Sequence, residues 1–356
     1  LAIQEGFGGF LLMQGKSPFR VRALCLPDID SPIGGVKQLY RHVEHLVDLG
    51  LDAAVVTECR GFRPAWFESD APSYSLQQCV NAGDFNRNFC IILLPETYLT
   101  VDWCNFWGVN LSLNARVVLN QNAYYSYESL QTLAAKPLSA FYDHPSVLQV
   151  FSISEDNHLF LSRNLGLPDC RLSRIINAVE PIFRPDQPKE NLLYWMPRKN
   201  PEHVKAVLLG MQRGGMPYNQ GWKARSMDNL THFQVAECLN TARIFLSFGH
   251  PEGFGLPIAE AMASGCWVVG YSGGGGSELF RYGASCHVAF GDWAGFLDGI
   301  EHALESFALR PRETELRLRR QASAVSALYS HEQARASIAG AWQRVSEAFT
   351  VWKQSL

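Results

Sequence analysis

The sequence predicts an α/β protein of two doubly wound domains, and three observations carry that expectation. Short apolar runs, such as Asp52–Thr57 (DAAVVT) and residues 90–94 (CIILL), alternate with stretches of helical spacing, the order that builds parallel sheets. A chain of 356 residues is long enough for two domains of ordinary size, each burying its own core. The strand–helix plan of the first half also recurs in the second, with no close sequence repeat. Two such Rossmann-like domains are expected to face each other across a cleft, a common place for ligands.

Composition narrows the function. With 47% hydrophobic and 18% charged residues, the chain is globular and not disordered. Its formal net charge of −3 gives no electrostatic ground for binding nucleic acid or an anionic membrane. No segment approaches the length of a membrane span, which leaves only peripheral association open. Nine cysteines lie scattered with no CxxC pair, several inside apolar runs, and read as free buried thiols in a reducing compartment, so a cytoplasmic protein is expected.

Taken in order, the first residues, with Gly6-Phe7-Gly8-Gly9-Phe10, follow no strand and read as a flexible lead-in. Residues 19–26 (FRVRALCL) alternate as a strand does, and a loop over 27–35 follows. Helical spacing then puts Val36, Leu39, Tyr40, Val43, Leu46 and Val47 on one face, and Gly50 stops that helix before the strand Asp52–Thr57. The loop contains Asp28-Ile29-Asp30, a bare Asp-x-Asp that reads more readily as an acidic turn before a helix than as a metal site. Gly34-Gly35 at the helix start can let a phosphate or an acceptor approach the backbone.

The strand over 90–94 ends at Pro95-Glu96-Thr97, and a strand over 117–119 ends at Asn120-Gln121-Asn122. Both carry polar residues at their carboxyl ends, where ligands lie in open α/β sheets. Gln121 and Asn122 can exchange hydrogen bonds with hydroxyls, and an amide-capped turn is the alternative reading. Trp103, Phe106 and Trp107 form an aromatic cluster that reads as core before sugar platform. A strand over 148–153, a helix from the Ser154 cap to Leu165 and a strand over 171–176 complete this half. The prolines at 181, 185 and 188 mark the expected boundary, giving domains over 1–185 and 186–330 and a last helix over 331–356.

In the second half, a strand over 191–196 (NLLYWM) ends at Pro197-Arg198-Lys199-Asn200-Pro201, which opens a helix through Leu209. Arg198 and Lys199 at this junction can bind phosphate, one as a fork and the other as a point charge; a basic surface turn is the alternative. An amphipathic helix over 228–239 and a strand over 242–248 follow. Phe290-Gly291-Asp292 then precedes a helix through Leu304, and helices over 310–324 and 331–351 end the chain.

Residues 247–279 (SFGHPEGFGLPIAEAMASGCWVVGYSGGGGSEL) carry the strongest signal. They read as a strand, an acidic glycine loop, a short helix started by Pro257, a second strand and a second glycine loop. Glu252 falls in the first loop and Glu260 in the helix. Ionised carboxylates accept hydrogen bonds from sugar hydroxyls, while the helix N-terminus between them favours an anion. Four consecutive glycines, Gly273–Gly276, carry a heavy entropic cost unless the backbone itself is in use. A sugar–diphosphate ligand suits such a site.

Residues 247–266 (SFGHPEGFGLPIAEAMASGC) resemble the Glu-x7-Glu signature of nucleotide-sugar glycosyltransferases with the GT-B fold, of the retaining, glycogen-synthase-like kind. The 273–278 and 177–185 segments and Gly34-Gly35 fit that family in the right order, so the resemblance extends over residues 20–345 and is strongest over 242–280. It implies an N-terminal acceptor domain, a C-terminal donor domain and a last helix that packs back on the N-terminal domain. It further implies that Glu252 contacts hydroxyls of the donor sugar, that Gly253, Phe254 and Gly255 line that sugar, and that Leu256 and Pro257 begin the helix under the diphosphate. Glu260 would hold the ribose, Arg198 would neutralise the diphosphate with Lys199 beside it, and Gly34-Gly35 would lie near donor phosphate and acceptor. Glu252 and Asn122 are the candidate catalytic residues.

Two features depart from the family pattern. Arg198 and Lys199 are adjacent where members space an Arg and a Lys about five residues apart, with Lys205 as a substitute. Asn120-Gln121-Asn122 stands where many members carry a His. The expected reaction moves a sugar from a nucleoside-diphosphate sugar to a saccharide, lipid-linked or other hydroxyl acceptor, with retention and without a metal or other cofactor. An epimerase of the same fold and a catalytically silent GT-B scaffold are the alternatives.

Overall fold

The computed structural model describes residues 17–126, 141–215 and 221–355; the glycine-rich segment at 6–10 lies outside the described residues. The chain divides into two compact units, one of Leu1–Ile176 with Ala334–Leu356, the other of Asn177–Gln333.

In the N-terminal unit a seven-stranded sheet is laid down in the order β3-β2-β1-β4-β5-β6-β7, every ladder parallel. Its strands are β1 (Arg20–Leu24), β2 (Asp52–Thr57), β3 (Ser73–Ser75), β4 (Cys90–Pro95), β5 (Ala115–Asn120), β6 (Val147–Ser152) and β7 (Leu172–Arg174). Helices on the faces bury the central strands on both sides, which is why they read as unbroken apolar runs. Helix α1 (Gly34–Asp48) follows β1 and buries Leu39, Tyr40, Val43 and Leu46. Helix α2 (Leu76–Asn81) begins at a capping box, Ser75 with Gln78, a signal the hydrophobic periodicity alone did not pick out. After β6, α3 (Glu155–Leu159) gives way to wider turns through Asn164.

The Asp-x-Asp loop after β1 is a tie between loops. Asp28 accepts hydrogen bonds from the Glu58 and Cys59 amides at 2.8 and 2.8 Å, and Asp30 from the Ala65 amide at 2.6 Å. Of the aromatic cluster, Phe106 is buried and stacks on Trp103 at 5.5 Å, whereas Trp107 is exposed.

The last helix, His331–Gln354, belongs to this unit from Ala334 onward. Its Trp342 Nε1 donates to His42 Nε2 at 2.8 Å, and the indole packs against Phe19 and Phe151 at 6.0 and 5.9 Å. That bond puts the imidazole proton on Nδ1, and burial pushes the His42 pKa down to about 3. A group held neutral in the fold contributes stability that is complete above its unfolded pKa and is lost as pH falls toward the folded value. Between pH 6 and 4 the wild type should therefore lose up to about 1.4 kcal/mol per pH unit through this residue. Thermal unfolding across that range tests it: His42→Gln should flatten the slope, and an unchanged slope would contradict it.

The boundary between the units falls at Ile176 and not at 185. The intervening proline-rich segment is bound to the C-terminal unit. Val179 N donates to Tyr329 O at 2.8 Å, Arg184 N to Asn240 Oδ1 at 3.0 Å, and Asn240 Nδ2 to Ile182 O at 2.7 Å. Prolines limit backbone freedom, but these hydrogen bonds decide which core the segment joins.

The C-terminal unit carries a five-stranded parallel sheet in the order β12-β11-β10-β8-β9. The strands are β8 (Glu190–Trp195), β9 (Lys223–Ser226), β10 (Ala242–Ser247), β11 (Trp267–Gly270) and β12 (Cys286–His287). Between and after them run α4 (Pro201–Arg213), α5 (His232–Thr241), α6 (Leu256–Ala263), α7 (Trp293–Leu309) and α8 (Pro311–Leu328). The core gathers Leu193, Leu246, Trp267, Val269, Phe296 and Ile300. Helix α5 starts later than its periodicity predicts, because Thr231 and Gln234 form a capping box that sets its first turn.

Candidate functional site

Strand order locates the site in each unit. A doubly wound sheet binds ligands beyond the carboxyl ends of its strands, where the direction of winding reverses. In the C-terminal unit that point lies between β8 and β10, and in the N-terminal unit between β1 and β4.

At the first switch point the loop after β8 presents Lys199 and the loop after β10 presents Glu252. Lys199 Nζ lies 2.8 Å from Glu252 Oε1 and donates to Pro251 O at 2.8 Å. Asn200, in the left-handed conformation before α4, donates to Phe248 O at 2.6 Å and joins the same two loops. Arg198 is exposed, and Lys205 sits exposed on α4. The residue of that helix that reaches the strand ends is His203, whose Nδ1 lies 2.9 Å from Tyr271 Oη. The adjacent Arg–Lys pair thus divides: Lys199 belongs to the glutamate, and Arg198 keeps an exposed guanidinium.

The two glycine loops interlock. Glu252 N donates to Gly273 O at 2.7 Å, and Gly275 N to Glu252 O at 3.0 Å, a one-rung parallel bridge. A Cβ on Gly275 would stand 2.1 Å from Gly253 O, and one on Gly273 would stand 2.6 Å from Glu252 Cβ. The backbone use that the four glycines imply is therefore, at these two positions, packing of one loop against the other. That packing sets where Glu252 sits.

Helix α6 starts from Gly255, held at φ 82°, where a side chain would be strained, and has Pro257 in its first turn. Its N-terminus opens beside the Glu252 loop and its far end is anchored by Lys189, whose ammonium donates to Leu239 O and Ser264 O. Burial pushes the Lys189 pKa down. Glu260 is 5% exposed, and its Oε1 lies 3.1 Å from His232 Nε2 on the first turn of α5. Sequence reading missed His232; the Thr231–Gln234 box was the signal that it starts a helix. Phe254 packs on Tyr329 at 5.0 Å, and the Tyr329 hydroxyl donates to the buried Glu278 at 2.8 Å. So Lys199, Glu252, the Gly253–Leu256 backbone and Glu260 share one strand-end region, with two carboxylates flanking a helix N-terminus.

In the N-terminal unit, Gly34 and Gly35 open α1 beside the second switch point. Gln121 Nε2 donates to Gly35 O at 3.0 Å, and Gln121 N to Glu96 Oε2 at 2.8 Å. Asn122 is buried, and its Oδ1 accepts from Tyr124 N at 3.1 Å, the capping geometry. Asn120 lies wholly in the core, donating to Ser126 Oγ and Tyr142 Oη at 2.8 and 2.7 Å and accepting from Asn157 at 2.8 Å. The Asn-Gln-Asn run thus splits into a core residue, a loop strut and a cap.

Residues 223–324 match the family of glycosyl transferases group 1. Among solved structures, the chain is similar to sucrose-phosphate synthase from Thermosynechococcus elongatus, at 14% identity and TM-score 0.68 over 93% of this chain and 100% of that one. It is similar to Anabaena HepE in complex with UDP and glucose, at 14% identity and TM-score 0.67 over 91% and 99%. It also resembles WaaG, a glycosyltransferase involved in lipopolysaccharide biosynthesis, at 13% identity and TM-score 0.58 over 89% and 99%. A 48-residue segment is 48% identical to an alpha-1,6-glucosyltransferase of Actinobacillus pleuropneumoniae serotype 7, a match spanning 14% of each chain. The chain has the GT-B fold of the glycosyltransferases. Its C-terminal unit carries a group 1 glycosyl transferase domain.

Among the described residues, no helix is long and apolar enough to cross a membrane. All nine cysteines are free thiols, but they are not all buried: Cys59, Cys104 and Cys170 lie in exposed loops and turns, outside the apolar runs, whereas Cys25, Cys79, Cys90 and Cys266 are buried.

Proposed function

We propose that the protein transfers a sugar from a nucleoside-diphosphate sugar to a hydroxyl acceptor, in the cytoplasm, with retention at the anomeric carbon and no metal. The observation that carries this reading is the switch-point arrangement of the C-terminal unit, in which Lys199 and Glu252 pair at 2.8 Å beside the α6 N-terminus and Glu260 lies on the same helix. The chemistry has two charges to stabilise: an oxocarbenium-like sugar and a departing diphosphate. Arg198, Lys199 and the α6 N-terminus act on the diphosphate. Glu252 takes hydroxyls of the sugar, lined by the Gly253, Phe254, Gly255 and Leu256 backbone, and Glu260 takes the ribose hydroxyls. Gly34 and Gly35, at the switch point of the N-terminal unit, take the acceptor, and Asn122, buried with its Oδ1 on the Tyr124 amide, shapes the turn after β5. A same-face route, with the leaving phosphate taking the acceptor proton, needs no protein nucleophile at the reacting carbon.

The test is a panel of UDP-, GDP-, ADP- and TDP-sugars, with and without crude saccharide and lipid acceptors, scored by nucleoside-diphosphate release and by NMR of the product. Release with one donor and an axial or equatorial linkage matching that donor supports the proposal. No release and no binding with any donor would overturn it; an inverted product would overturn retention alone.

Glu260 gives a separate prediction. Hydrogen bonds to a charged group contribute about 1.5–3 kcal/mol, so Glu260→Ala should weaken nucleoside-diphosphate binding tenfold or more. Calorimetry of wild type and variant checks this, and equal affinities would remove Glu260 from the site.

A further inference from the structure

Glu96 follows β4 on one side of the N-terminal switch point, and Gly34-Gly35 follow β1 on the other. Gln121, the first residue after β5, bonds to both. Its peptide N–H donates to Glu96 Oε2 at 2.8 Å and its side-chain amide to Gly35 O at 3.0 Å. A Cβ on Gly35 would meet Gln121 Oε1 at 3.1 Å, so the amide is packed against that glycine as well as bonded to it. Glu96 is 2% exposed, and a carboxyl is costly to bury at a strand end unless it has work there.

We propose that Glu96 is a positioning residue: through the Gln121 peptide and amide it fixes the Gly34-Gly35 backbone, and so the shape of the pocket that takes the acceptor. The acceptor half of this statement rests on the proposed function; the strut itself does not.

Protonation follows from the same placement. Burial pushes the Glu96 pKa up to about 7, opposed in part by the backbone amides of Gln121, of Glu96 itself and of Asn122. The titratable neighbour that feels Glu96 is Tyr142, which burial holds neutral by pushing its phenol well above the usual range. A carboxyl with a raised pKa contributes stability that is complete below its unfolded value of 4.5 and is lost as pH rises through about 7. The Gln121 amide bonds the ionised carboxylate at least as well as the neutral carboxyl, so what weakens as Glu96 ionises is its burial: openings that expose it become easier between about pH 4.5 and 7.

Hydrogen exchange read by mass spectrometry tests this without any turnover. Peptides covering residues 31–40 and 118–125 are followed in wild type, Glu96→Ala, Glu96→Gln and Gln121→Ala. At pH 6, Glu96→Ala should raise exchange in both peptides tenfold or more, and Glu96→Gln, which keeps an acceptor, should restore wild-type protection. Gln121→Ala should raise exchange over 31–40 alone, and it carries the test if Glu96→Ala fails to fold, since its side chain is only half-buried. Exchange over 118–125, corrected for intrinsic rate, should rise between about pH 4.5 and 7 in wild type, level off above 7 and stay flat in Glu96→Gln; the same slope in both would overturn the buried role of the carboxyl. Unchanged exchange over 31–40 in Gln121→Ala, or no rescue by Glu96→Gln, overturns the strut. With a donor that turns over, Gln121→Ala should raise the acceptor KM at least fivefold and leave donor affinity unchanged; the reverse pattern overturns its acceptor role.

Discussion

Glu252→Gln should lower turnover about 10²- to 10³-fold, the range seen when one pre-placed electrostatic group is removed from a reacting centre. The substitution keeps the side-chain shape and removes the charge that meets Lys199 at 2.8 Å. The two side chains are 19% and 22% exposed, so the pair is partly screened and contributes about 1 kcal/mol or less to stability. Activity and stability should therefore separate: the unfolding midpoint shifts by a few degrees at most, while product formation nearly stops. Lys199→Met should fall in the same range. The double variant should be little worse than either single one, because two groups that act as a unit are not additive. Equal losses of stability and activity in Glu252→Gln would show a structural glutamate.

Gly275→Ala should abolish the site by a different route. The added methyl would lie 2.1 Å from Gly253 O and 2.6 Å from Phe254 N, both backbone atoms, so one loop must move. Overpacking of this kind costs about 1–3 kcal/mol, and the displaced loop is the one that carries Glu252. A fall in Tm of about 5–10 °C is expected, with loss of nucleotide-sugar binding at any concentration that saturates wild type. Gly340→Ala is the control, because a Cβ there meets nothing within 4 Å. It should change neither property, and wild-type binding by Gly275→Ala would show that the interlocked loops do not position the ligand.

Much of the fold was legible because its signals are local. The apolar runs that became β2, β4 and β10 are buried on both faces, and helical spacing found α1. The short edge strands β3, β9 and β12 were not legible. Ser73–Ser75 and Lys223–Ser226 are largely polar, and their pairing with β2 and β8 is decided by tertiary contact. The unit boundary was misplaced for a similar reason: prolines mark a change of direction, while the hydrogen bonds to Asn240 and Tyr329 come from residues far along the chain.

The candidate site divides the same way. Glu252, Glu260 and the glycine loops were visible as a spaced motif. Their partners were not, because Lys199 with Glu252 and His232 with Glu260 meet only when separate strand ends are brought side by side. Glu96 was visible as a polar residue at a strand end, but its contact with Gln121 and so with Gly35 depends on strand order. The glycine run shows the converse. Sequence indicated that the backbone was in use, and the structure identifies one user as the neighbouring loop.

The most direct test of the central claim is a crystal of the protein soaked with UDP, GDP or ADP. One of these nucleotides should bind in the C-terminal unit, its diphosphate at the α6 N-terminus within reach of Arg198 and Lys199 and its ribose hydroxyls on Glu260. A nucleotide bound away from the β8 and β10 strand ends, or one in that place that makes no contact with Glu260, would contradict it.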